Sequence, residues 1–194
     1  MRTTITNARD RIDHAIPARR IAGVATFTLL TALGAAVSVP LPFTPVPMTL
    51  QTLFVLLAGV TLGPRLGLLS MALYLLLGTA GYHVFAGGSW GLTTLFGVTG
   101  GYMLGFALAQ PVIGTLARRH GGTWRDLLLA ALAGKVIVYA CGLAWLAVWL
   151  NVGWSRALEL GFYPFALGGV LKISLAVGVG RWAVPESRRW RIAW

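Results

Sequence analysis

Six stretches of apolar residues, at 21–39, 50–63, 66–80, 95–117, 127–150 and 161–182, alternate with polar, glycine-rich or proline-rich breaks. About 20 apolar residues cross the hydrocarbon core of a bilayer, so the pattern predicts six membrane-spanning helices. The second and third stretches are short for a span and either extend into their flanks or cross a thinner region. Gly63-Pro64-Arg65 separates them: a turn dipeptide followed by a charge fits two helices joined tightly better than one long tilted helix.

Composition agrees with that reading. The chain has 194 residues, 57% hydrophobic and 11% charged, with a mean hydropathy of +0.75, outside the range of soluble domains. An integral protein of the lipid bilayer follows. The net charge of +11 raises the question of nucleic acid, but the arginines punctuate apolar stretches instead of forming a face or stripe, which argues against a nucleic-acid partner. With the N-terminus inside, the cytoplasmic segments hold thirteen of the fourteen arginines, Arg156 being the exception. That is the bias expected of cytoplasmic loops, and merging the second and third helices would spoil it. The expected fold class is therefore all-α: a polytopic membrane protein of six transmembrane helices, with both termini cytoplasmic. Tails at 1–20 and 183–194 flank a membrane domain at 21–182. No A-x-A-like cleavage site follows the first apolar run, which reads as a retained helix.

Between the first two helices lies PLPFTPVPMTLQ at 40–51, with four prolines in eight residues and no charge. Each proline removes a backbone donor and fixes φ, so this segment is not helix. At membrane depth such backbone survives only against protein or a wet cavity. Two readings stand, a loop covering a ligand and an ordinary extended connector. The loop at 81–94 also lacks Lys, Arg, Asp and Glu, and the topology puts both on the outer side, where they could form a lid together. Its Gly87 and Gly88 permit close backbone approach, and its aromatics either enclose a ligand or sit at the headgroup level.

Both lysines of the chain lie inside apolar stretches. Lys172 is near the middle of the last one, and an intramembrane lysine costs about 2.5–3.5 kcal/mol on insertion scales, so a partner is expected. The five acids, Asp10, Asp13, Asp126, Glu159 and Glu186, map to tails, loops or helix ends. A ligand carboxylate is one partner for Lys172, with Gly168 and Gly169 leaving space a turn away; snorkelling or a carbonyl bond is the alternative. Lys135, about two turns into its helix, reads as a snorkelling side chain. Gly97, Gly101 and Gly105 give one smooth face, as do Ala32 and Ala36, suited to packing within the chain or against a partner subunit. The lone Cys141 has no partner, the three histidines are scattered, and neither metal spacing nor a nucleophile elbow occurs. Gly134-Lys135 is not a Walker A motif, since Leu129 stands where its first glycine belongs. The expectation is a protein that is not an enzyme and does not itself hydrolyse ATP.

PLPFTPVPMTLQT at 40–52, VFAGG at 84–88 and TGGYMLGF at 99–106 resemble, in order and separation, the hallmark segments of the BioY family, the biotin-specific substrate-binding components of energy-coupling factor (ECF) transporters. The resemblance covers nearly all of 21–182. It implies a six-helix substrate-binding domain in the prokaryotic cytoplasmic membrane that captures biotin from outside. Biotin is then a transported ligand and no cofactor is expected. The implied partners are a transmembrane coupling subunit, docked near Ala32 and Ala36, and separate ATPase subunits. Biotin presents a carboxylate, a ureido group and an apolar thioether ring. On that basis Lys172 faces the carboxylate, Thr44, Gln51, Ser89 and Tyr102 are candidates for polar contacts, and Phe43, Phe85, Trp90 and Tyr139 for walls, with Gly87 and Gly88 beside them. The chain departs from the family pattern at Gly169, where an acid is expected, at Tyr82-His83, and at Val98. Another small carboxylated vitamin, or a membrane scaffold without a ligand, are the rival readings.

Overall fold

The computed structural model describes residues 3–183; the arginines at 188, 189 and 191 and the rest of the C-terminal tail lie outside the described residues. Helix α1 runs over Thr3–Ala36 without a break, so the boundary expected at residue 20 falls inside it. At 1.5 Å per residue its 34 residues reach roughly 51 Å, longer than a bilayer core. Where its side chains are described, Val24, Thr28, Thr31, Gly34 and Ala35 are buried and lie on one face. Ser70 of α3 (Pro64–Thr79) meets that face, donating to the Val24 carbonyl while Thr28 donates to the Ser70 carbonyl at 3.0 Å.

The proline-rich segment is a β-hairpin, which adds a two-stranded ribbon to an otherwise helical fold: β1 (Ser38–Leu41) pairs antiparallel with β2 (Thr44–Thr49). Val39 faces Met48 and Leu41 faces Thr44, with an irregularity between them at Pro40. A two-stranded ribbon is all edge, and edge strands tolerate prolines that a central strand cannot. Helix α2 (Gln51–Leu62) follows at once, and the Leu50 N–H donates to the Gly34 carbonyl at 3.0 Å, pinning the hairpin's exit to α1. A Cβ at Gly34 would lie 2.9 Å from the Gln51 nitrogen, so glycine is what admits this approach.

The turn expected between α2 and α3 is present. Gly63 takes φ 87° and Pro64 opens α3. Arg118 braces the junction by donating to the carbonyls of Thr61 (3.1 Å) and Gly114 (2.9 Å). The stretch 95–117 is not one helix. A short α4 (Gly91–Leu95) ends before α5 (Gly100–Leu116) begins, so Gly97 lies outside the helical face expected for it. Its carbonyl instead accepts from the Trp145 indole at 2.9 Å. Gly101 and Gly105 do form a smooth face, and it meets α6 (Trp124–Leu150): a Cβ at Gly105 would lie 3.0 Å from the Val138 Cα. The last apolar stretch, 161–182, opens on a tight turn carrying Pro164 and continues as α8 (Ala166–Ala183), with α7 (Trp154–Gly161) just before it.

Tyr74, Phe85, Leu56, Met71, Ile113 and Leu146 form the largest fully buried side chains of the core. Outside it, apolar side chains point away from the bundle on several helices, Leu167 being 85% and Trp182 87% exposed. A continuous apolar exterior of this kind fits hydrocarbon rather than water. Trp124–Leu150 and the 29-residue stretch Trp154–Trp182 are each long and apolar enough to cross a membrane.

Candidate ligand-binding site

A cavity opens where the hairpin meets the helices. Val46, Pro47 and Thr49 of β2 form one wall, Gln51 and Thr52 at the start of α2 the next. Ala86 and Thr99, which precede α5 in the chain, Tyr102, Met103 and Phe106 of α5, Lys135, Val138 and Tyr139 of α6, and Phe165 and Lys172 beside and on α8 also line it. Thr44 and Val46 are buried while Pro45 between them is exposed, so the strand's alternation aims one face inward.

Hydrogen bonds tie the hairpin to three other elements. Lys172 Nζ donates to the Thr49 carbonyl at 2.5 Å, and Thr44 Oγ1 donates to the Leu160 carbonyl on α7 at 2.6 Å. Thr49 Oγ1 donates to Gln51 Oε1 at 3.0 Å; Gln51 Nε2 in turn donates to Tyr74 Oη, which donates to the Val84 carbonyl at 3.2 Å. The Tyr102 hydroxyl is spent on the Gly161 carbonyl at 3.0 Å. Among the described residues the buried Thr52 Oγ1, at the cavity wall, has no hydrogen-bond partner. Such a buried orphan calls for a partner that the protein itself does not supply.

The charge balance of the cavity is one-sided. Lys135 is 8% exposed, with Nζ 4.9 Å from the centroid of the Tyr139 ring. Asp126 bonds His120 at 2.9 Å and Glu159 bonds Arg156 at 2.7 Å, so neither reaches the lysines. The cavity therefore offers two ammonium groups, hydroxyl and amide groups, and apolar walls, suited to a small ligand with a negative end. Among the described residues no three His, Cys, Asp or Glu side chains gather as a metal site would require.

The BioY family model matches residues 4–189 of the chain. "Probable biotin transporter BioY" of Pyrococcus horikoshii is 41% identical over 160 residues, which is 82% of this chain and 93% of that protein. "Biotin transporter BioY" of Thermotoga maritima is 39% identical over 159 residues, covering 81% and 91%. The chain belongs to the BioY family. A crystal structure of the S-component for biotin from an ECF-type ABC transporter superposes on it with a TM-score of 0.80 at 25% identity, over 93% of this chain and 94% of that one.

Within this BioY-family fold, four of the candidate residues, Gln51, Tyr102, Tyr139 and Lys172, come together around the cavity. Thr44 stands behind the wall as a strap. Phe85 is buried in the core, edge-on to Tyr74 at 5.5 Å and seated against Gly78, so it is not a cavity wall. Phe43 sits at the hairpin turn, 60% exposed, and Trp90 is 51% exposed against His83. Gly87 (φ 67°) and Gly88 (φ 74°) shape a turn that Ser89 Oγ closes on the Ala86 carbonyl at 2.8 Å; of this loop only Ala86 reaches the cavity. Ala36 is exposed, whereas Ala32 packs on the core, so the pair is not one free face.

Lys135 is buried where the sequence suggests a snorkelling side chain. Helix α6 begins at Trp124, which puts Lys135 roughly 16 Å along its axis, and it falls on the buried stripe with Ala131, Val138 and Gly142. The signal was present, since Lys135 stands four residues before Tyr139 and so shares its face. Thr52 gave no signal beyond its place in the motif.

Proposed function

We propose that this chain is the membrane-embedded biotin-binding component of an ECF-type uptake transporter. Six helices cross the cytoplasmic membrane of a prokaryote with both termini inside, and a separate transmembrane subunit with ATPases couples binding to transport. It binds and does not catalyse. The observation that carries the reading is Lys172, which reaches from α8 to the last carbonyl of the hairpin at the rim of a cavity. A biotin carboxylate would exchange that neutral acceptor for a charged one, a stronger hydrogen bond, while the hairpin stays against the cavity as a lid. The ureido group finds its partners at Gln51 and the unpaired Thr52 hydroxyl, and the thioether ring lies against Met103, Phe106 and Tyr139.

Purified protein in nanodiscs is expected to bind biotin saturably. No detectable binding at micromolar biotin would sink the reading. A thermal-shift panel of vitamins separates biotin from the other carboxylated vitamins, because a ligand that binds only the folded state raises the midpoint by mass action. Another vitamin giving the larger shift reassigns the substrate, and no shift with any of them returns the scaffold reading.

A further inference from the structure

We infer that Lys135 and Lys172 form a two-ammonium seat for the ligand carboxylate, and that Lys135 is the second residue setting the preference for an acid over its neutral analogues. This rests on the reading that the cavity takes biotin.

Three observations carry it. Lys135 is a charged side chain more than nine-tenths buried, on the core stripe of α6, lining the same cavity as Lys172. Among the described residues it has no hydrogen-bond or ion-pair partner, and the face of Tyr139 at 4.9 Å is its nearest recorded compensation. A cation–π contact offsets only part of the desolvation of a buried ammonium, whereas a carboxylate supplies both charge and acceptors. The third is the space opposite. A Cβ at Gly169 would lie 3.0 Å from Lys135 Cε, 3.1 Å from Nζ and 3.5 Å from Tyr139 Oη, so glycine leaves the ammonium uncovered where any larger residue would stand against it. An acid at 169 would fill that place with an internal anion. The chain instead keeps both lysines unneutralised, Lys172 being held on the Thr49 carbonyl. Two cations from different helices on one cavity suit a group with two equivalent oxygens, one for each lysine.

The test is equilibrium binding of biotin and of biotinamide, its neutral amide, to the full chain in nanodiscs. The unmodified protein is expected to prefer the acid. Lys135→Met should cut the acid-to-amide affinity ratio about tenfold or more, the size expected for a charge-assisted hydrogen bond, with amide binding nearly unchanged. Lys135→Arg, which keeps the charge, should keep most of the ratio. Gly169→Asp should lower the ratio as well, by giving Lys135 an internal partner. An unchanged ratio in a Lys135→Met protein that still binds biotin overturns the seat and leaves the biotin reading intact. So does an equal loss of acid and amide, since that reports shape and not charge. If Lys135→Met does not fold, Gly169→Asp decides, and an unchanged ratio there overturns the seat. Failure of the unmodified protein to bind biotin at all removes the biotin reading, and the seat falls with it.

Discussion

The hairpin at 38–49 and the glycine-rich loop at 81–90 are alike in the sequence: both are uncharged, both join helices, and both carry aromatics and residues that break helices. The structure holds them in opposite ways. The loop is fixed by a plug, the ring of Phe85, which is 1% exposed and pressed between Gly78 and Tyr74, while its glycines face open space. The hairpin buries a smaller apolar side chain in the core, Val46 at 7% exposed. It is held by side-chain hydrogen bonds, Thr44 to Leu160 and Lys172 to Thr49, and it supplies three cavity residues where the loop supplies one. Apolar packing has no ready substitute, but a hydrogen bond to a lysine can be exchanged for one to a ligand. The difference gives the loop an apolar hold and the hairpin a hold that a ligand could exchange.

The largest effect that would break this contrast lies at the plug. Phe85→Ala should destabilise the protein by about 3–5 kcal/mol, because it empties a filled core position. A thermal midpoint measured without ligand checks it. A small change there, with biotin affinity lost instead, would return Phe85 to the cavity wall. The strap should behave otherwise. Thr44→Val deletes two hydrogen bonds and leaves the Leu160 carbonyl and the Val46 N–H to find other partners, a cost of about 1–3 kcal/mol. Since the loss falls on the hairpin alone, it should appear chiefly as faster biotin release in a dissociation experiment. An off-rate unchanged from that of the unmodified protein would deny the hairpin its part in retention.

Much of the fold could be read from periodicity, because apolar stretches and the Gly63-Pro64 break report local physics. The differences have separate causes. Whether Phe85 faces a ligand or Gly78 depends on a contact between an element and a glycine seven residues earlier, and no local pattern records which cavity an aromatic fills. The hairpin is not legible because its strand pairing is confined to ten residues dense in proline, which read as backbone excluded from helix without saying what it becomes. Lys172 is legible because it stands alone in a long apolar stretch. Lys135 is not, because the apolar stretch begins at 127 whereas α6 begins at Trp124, so a deep residue looks shallow in the sequence.

The smallest expected effects belong to the two exposed aromatics, Phe43 at the hairpin turn and Trp90 at the end of the loop. Both looked like ligand walls in the sequence, and neither lines the cavity. Substituting either by alanine removes little buried area, so stability should move by no more than about 0.5 kcal/mol and biotin affinity by about twofold or less. The two still differ in what a larger effect would mean. Trp90 sits on the plugged loop, so an affinity loss at Trp90→Ala would show that the loop reaches the ligand after all and would dissolve the contrast. Phe43 sits on the hairpin, whose straps are the ones a ligand competes for. An affinity loss at Phe43→Ala alone, with the unliganded midpoint unchanged, would instead sharpen the contrast by showing that the hairpin moves inward on binding while the loop stays where Phe85 holds it.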